Sequence, residues 1–281
     1  MAKLTVETID QVLDVLVAQK ANEVDLRHIT FIDPYALLLL ALGMRHRLEV
    51  GPHLVIQWPK SPSVHRWMEA MGFFAEVDEF VPTSRIAPVR VTNALAPITS
   101  IAKEQEVSRL VEAFDRRLAE RYPLTGTSRN ALIRIMIELF QNIPQHSNAT
   151  GAVSDPHGLA AIQDYTDSIF LAVADKGVGL HGSLALRPEF ASLSDRSALD
   201  AIVFEGMSRF TDPGRGGELR RIARLVRNWD GMLTIRSGEA LLIMDAEHGD
   251  IYDAPVFPGV QIAICLPRRV FGIEAPPIDN E

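Results

Sequence analysis

The chain has 281 residues, 47% of them hydrophobic and 23% charged, the balance of a globular protein able to bury a sizeable core. A net charge of −8 and a pI near 5.5 exclude a broad basic face for nucleic acid. The single cysteine, Cys265, excludes an internal disulfide and fits a reducing compartment; it stands in an apolar, strand-like run where packing accounts for it.

The opening stretch, MAKLTVETIDQV, lacks the apolar core of a signal peptide. The longest greasy run, YALLLLALGM, falls well short of the roughly 20 residues a membrane-spanning helix needs. The expected location is cytoplasmic, away from membranes. Ile9, Val12, Leu13, Leu16 and Val17 recur at helical spacing. EVDLRHITFI then reads as extended chain. Asp33 followed by Pro34 is a helix-start signal, and the helix should run through PYALLLLALGMRHRL to Gly51-Pro52. HLVIQW reads as a strand. Ser61-Pro62 opens a second helix that stops at Gly72. Strands alternating with helices predict an α/β layer structure over residues 1–80. Residues 81–103 hold three prolines and no clear period, and read as the connection between two domains, with room for one strand.

A helix is expected over 104–121, and a second one capped by Thr127 or Ser128. SIFLAVAD, 168–175, is a strand ending in an acid. Residues 181–213 are rich in turn formers. GGELRRIARLVRNW is a helix opening at glycines, and GMLTIRSG, ALLIMDA and GVQIAICLP are three late strands. The tail, 273–281, reads as disordered.

Three clusters carry chemistry. In NALIRIMIELFQNIPQHS, Glu138, Asn142 and His146 fall at steps of four among apolar residues. One helical turn stacks them on one face, where an ionised carboxylate needs a partner. Either the row faces a ligand, or Glu138 pairs with an arginine at the rim of the core. In AVADKGVGL a strand delivers Asp175, and Gly177 and Gly179 follow. Glycine there permits close backbone approach, and the carboxylate can accept from an exocyclic amine; a tight turn is the plainer alternative. In TDPGRGGELRRIARLV, Gly214, Gly216 and Gly217 precede a helix whose free N–H groups suit a phosphate, with Arg215 beside them; capping glycines are the plainer alternative.

The order ELFQNIPQHS, DKGVG, GRGGELRRI and DGMLTIRSGE, over about residues 104–270, resembles the ATP-binding domain shared by histidine kinases, gyrase-type ATPases, Hsp90 and anti-sigma-factor serine kinases. The resemblance implies a C-terminal α/β sandwich of the histidine-kinase-like ATPase (Bergerat) type over 104–272, binding ATP with Mg²⁺. Glu138 would orient or deprotonate the group attacking the γ-phosphate. Asn142 would ligate Mg²⁺, and Asp175 would accept from the adenine amine. Gly177 and Gly179 would admit the nucleotide, and Gly214, Gly216 and Gly217 would hinge a lid. His146 would lie at the nucleotide's edge. Ile143 and Pro144 depart from the family pattern, and Pro144 should bend or end the helix. Glu218 would stand close to phosphates and repel them unless turned outward.

Residues 1–80 resemble a STAS domain, in VDLRHITFIDPYALLLLALGMRHRLEVGPHLVIQWPKSPSVHRWMEAMGF. Where that family carries a phosphorylated serine, this chain reads Asp33-Pro34-Tyr35-Ala36, so the resemblance implies docking without the phospho-switch. Together the two resemblances imply a regulatory protein of bacterial-type partner switching, with slow ATPase or serine/threonine kinase activity and a protein partner. A second copy of the chain is one candidate partner. The serine/threonine type is expected over the histidine type because no histidine phosphoacceptor box and no long two-helix segment ahead of residue 104 are read. A non-catalytic interaction module, with nucleotide only a conformational ligand, is the alternative. A metal hydrolase is disfavoured, because no H-E-x-x-H or comparable spacing occurs.

Overall fold

The structure, a computed structural model, describes residues 2–17, 22–51, 54–77, 94–122, 126–146, 158–210 and 216–271, with only the backbone of 94, 95, 145 and 146. In chain order the N-terminal elements are β1 (Ala2–Leu4), α1 (Asp10–Leu16), β2 (Glu23–Asp25), β3 (Ile29–Ile32), α2 (Pro34–Val50), β4 (Val55–Gln57), α3 (Pro62–Ala70) and α4 (Phe73–Val77). Next come β5 (Ala94–Ile101), α5 (Glu104–Arg121), α6 (Gly126–His146), β6 (Gly158–Asp164) and β7 (Ser168–Asp175). Then follow α7 (Gly179–Leu184), α8 (Asp195–Asp200), a π turn (Ala201–Glu205), α9 (Glu218–Asn228), β8 (Met232–Met244) and β9 (Gly249–Pro267). The fold is mixed α/β, and among the described residues no helix is long and apolar enough to cross a membrane.

Five strands form one antiparallel sheet in the order β5-β6-β7-β9-β8. Side chains on a strand alternate between faces. Ala160, Ile162, Leu171, Val173, Ile262 and Ile264 therefore share a core with α5, α6 and α9, while Leu159, Ala161, Ala172, Ala174 and Ala263 share one with the N-terminal elements. The sequence suggests two domains; the packing joins them, because the N-terminal elements close their core against the back of this sheet. Four of those five residues are alanines, whose small side chains let α2 approach the strands closely.

That sandwiching explains α2. Every residue from Pro34 to Met44 is buried, and a helix that is apolar on all sides needs cover on all sides. Its start is as the sequence predicts: the Asp33 carboxylate accepts from the Ala36 N–H at 2.7 Å and from the Val6 N–H at 3.0 Å. Among the described residues several polar ties cross between the layers, including Ile98 N–H to the Met71 carbonyl at 2.8 Å. Arg236 of β8, completely buried, pairs with Asp10 at the start of α1 and donates to the Pro255 carbonyl at 3.1 Å. Lys176, just beyond β7, pairs with Glu49 of α2 at 2.5 Å.

Several elements differ from expectation. EVDLRHITFI is two strands separated by a turn, and these lie in two separate parallel pairs, β1 with β3 and β2 with β4. The one strand that the 81–103 connection has room for is present as β5, and it is an edge strand of the main sheet; residues 78–93 lie outside the described residues, as does the tail. GMLTIRSG and ALLIMDA belong to one strand, β8, whose register shifts at Gly238, a residue in the left-handed region with φ +59°. A glycine-borne irregularity inside a strand looks like a break in sequence. Strand β6 was not expected at all. Ser128 does not cap α6; its hydroxyl donates to the Val270 carbonyl at 2.8 Å. Helix α6 also passes Pro144 and is helical as far as His146, the last described residue of that stretch. The turn-rich segment 181–213 holds α7, α8 and the π turn.

Candidate functional site

Strand β7 delivers Asp175 to its C-terminal end between β6 and β9, with Ala174 opposite both Leu159 and Gln261. The strand's alternation sends Val173 and Asp175 toward the helical face and Ala172 and Ala174 toward α2. The position of Asp175 is fixed on several sides. The Gly177 N–H donates to Oδ1 at 2.6 Å, and buried Gln261 donates through Nε2 to the Asp175 carbonyl at 3.0 Å. Gly259, with φ +83°, presses its Cα so close to the Asp175 backbone that a Cβ would collide with it. Burial pushes the Asp175 carboxyl up to about 7, against the opposing pull of the Gly177 and Val260 N–H groups.

After the acid the chain turns at Gly179, whose φ is +74°. The Ser237 hydroxyl, buried on β8, accepts from the Leu180 N–H at 2.8 Å and lies against Gly179. The serine of DGMLTIRSGE thus anchors the loop that follows Asp175.

These groups open onto a cavity of about 80 Å³. Asn142 enters it from α6, Asp175 from β7, Gly179 from α7, and Gly217 and Glu218 from the start of α9. Leu139, Ile143, Val173, Leu184, Val260 and Ile262 supply apolar walls. Among the described lining residues the charged side chains are Asp175, Glu218 and Arg209. The chain therefore brings one residue or more from each of its three sequence clusters into a single hollow. A mostly apolar pocket with a few convergent polar groups is the usual form of a small-molecule site.

Glu138 stands apart. It is one turn before Asn142 on α6 but is not among the residues lining the cavity. Its carboxylate accepts from Arg134 Nε at 3.0 Å and lies 3.6 Å from Arg221 of α9. Of the two sequence alternatives for Glu138, the arginine pairing is the arrangement present. Gly216 and Gly217 both adopt left-handed conformations, φ +91° and +72°, and a Cβ on Gly216 would collide with Ser208. Gly214, Arg215 and the side chain of His146 lie outside the described residues. Gly177 contributes its N–H to Asp175 and does not line the cavity.

Sequence reasoning missed Gly259, Gln261, Ser208, Arg209 and Arg221. Only Gly259 carried a local signal, as part of a Pro-Gly pair inside a strand. Among the described residues no three His, Cys, Asp or Glu side chains gather as a metal site. Comparison with protein-family models finds none that matches the chain, and comparison with curated proteins finds no match either.

Proposed function

We propose that the cavity binds an adenine nucleotide with Mg²⁺, and that the chain is a nucleotide-dependent regulatory protein in which residues 104–272 form a histidine-kinase-like ATPase domain and residues 1–80 a STAS-like docking layer. The observation that carries this is the meeting of Asp175 and Asn142 in one apolar-walled hollow. The buried Asp175 carboxylate would accept from the exocyclic amine of adenine, and the apolar walls would flank the purine. Asn142 would offer its amide oxygen to a magnesium ion that takes its remaining ligands from phosphates and water, a small protein share that Mg²⁺ commonly accepts. Arg209 would meet negative charge at the rim. Turnover, as slow hydrolysis or as phosphoryl transfer to a serine or threonine of a partner protein, would require Glu138 to leave Arg134 and Arg221.

That pairing favours a second function, a non-catalytic interaction module that responds to nucleotide without turning it over. Thermal unfolding with and without millimolar Mg-ATP tests the shared premise. Ligand at 100 times its Kd should add about 2.7 kcal/mol of stability, and no shift would refute nucleotide binding. Glu138→Ala then separates the two functions: for an enzyme it keeps the shift and loses turnover, whereas for a module the wild type already shows the shift with no turnover.

A further inference from the structure

The start of α9 already holds an anion. Glu218 lines the cavity, and its Oε1 accepts from the Gly216 N–H at 3.0 Å. The same oxygen lies 3.4 Å from Arg221 Nη2, and that nitrogen is 3.6 Å from Glu138. Gly216 and Gly217 hold left-handed conformations that turn the chain back on itself, which lets a residue at the first helical position reach an N–H two residues before it. The carboxylate thus occupies a place where the dipole of α9 and a free N–H would otherwise favour a bound anion.

We infer that Glu218 is a resident substitute for a ligand phosphate and sets the cavity's preference between uncharged and phosphorylated ligands. The inference rests on the nucleotide reading of the same cavity. Asp175 and the apolar walls recognise the nucleoside portion whatever its phosphorylation. A phosphate chain running toward α9 meets a carboxylate that must first give up the Gly216 N–H, although it can keep the Arg221 contact it already has. Charge at position 218 therefore weakens Mg-ATP binding selectively and leaves adenosine binding alone. Glu218 is a specificity-determining residue, distinct from the groups that hold the ring.

Calorimetric titration of the full chain with adenosine and with Mg-ATP tests this. For Glu218→Gln, which removes the charge and keeps an acceptor, Mg-ATP affinity should rise about tenfold or more while adenosine affinity stays unchanged. Glu218→Ala should shift the ratio in the same direction, and it keeps the test intact if the glutamine variant folds poorly. A ratio of the two affinities that stays the same in both variants, with wild-type binding of both ligands intact, would overturn the role of Glu218 and leave the site reading standing. Failure of the wild type to bind either ligand would sink both.

Discussion

Replacing Asp10 by alanine should lower the free energy of unfolding by about 3–5 kcal/mol, the usual cost of leaving a buried charge without its partner. Arg236 has no exposed surface, and besides Asp10 it has the Pro255 carbonyl as acceptor, with its Nε lacking any partner among the described residues. Solvent reaches 35% of the Asp10 side chain, so water can partly take the carboxylate's place and should hold the loss toward the lower end. Urea denaturation of Asp10→Ala against wild type measures it. A double variant, Asp10→Leu with Arg236→Met, should recover much of the loss, because an apolar pair needs no compensating charge. The effect follows from the joined architecture: Arg236 belongs to the main sheet and Asp10 to the N-terminal layer. An Asp10→Ala protein unchanged within about 0.5 kcal/mol would show that the two layers are not tied there.

Asp175→Asn should weaken adenosine binding roughly 10- to 100-fold, because a hydrogen bond to a charged acceptor contributes about 1.5–3 kcal/mol. The substitution should also change the pH dependence of stability. Burial raises the Asp175 carboxyl from 3.8 to about 7. Between those values the unfolded chain has released this proton and the native protein keeps it, so the native state binds more protons. The stability contributed by protonation is then fully present below pH 4, and it is lost as pH rises through 7, with a slope of up to about 1.4 kcal/mol per pH unit. Asp33, raised by burial to about 6, acts in the same direction over the lower part of that window. His46, held below its ordinary value by burial, acts in the opposite direction up to about pH 6.5, so the difference between wild type and Asp175→Asn from pH 6 to 7 isolates the Asp175 part. Asp175→Asn should remove that part and be relatively more stable at pH 8 than at pH 5. Because donation from an amine favours the ionised carboxylate, wild-type affinity for adenosine should climb with pH through about 7 and then level off. A pH series of melts and titrations checks both trends.

What could be read from sequence was local and periodic. Asp33-Pro34 marks the start of α2 by chemistry that acts within a few residues, and Asn142 and Asp175 announce themselves as polar groups in apolar company. What could not be read depends on distant partners. The alanines of β6 and β7 give no hint that α2 will pack on them, since Ala172 and Ala174 would suit any close-packed layer. GLAAIQD lacks the alternation of a half-exposed strand because every residue of β6 is buried. The pairing of Glu138 with Arg221 joins residues far apart in the chain, and only the packing of α9 beside α6 brings them together. The direction of Glu218 was open in the sequence; the left-handed turn at Gly216 and Gly217 decides it.

Co-crystallisation with ADP and Mg²⁺ examines the nucleotide assignment most directly. A purine should lie against Val173 and Ile262, with its exocyclic amine on the Asp175 carboxylate and density for a magnesium ion beside Asn142. A purine bound elsewhere on the protein, or a hollow filled by its own neighbouring side chains at saturating ADP, would contradict the assignment.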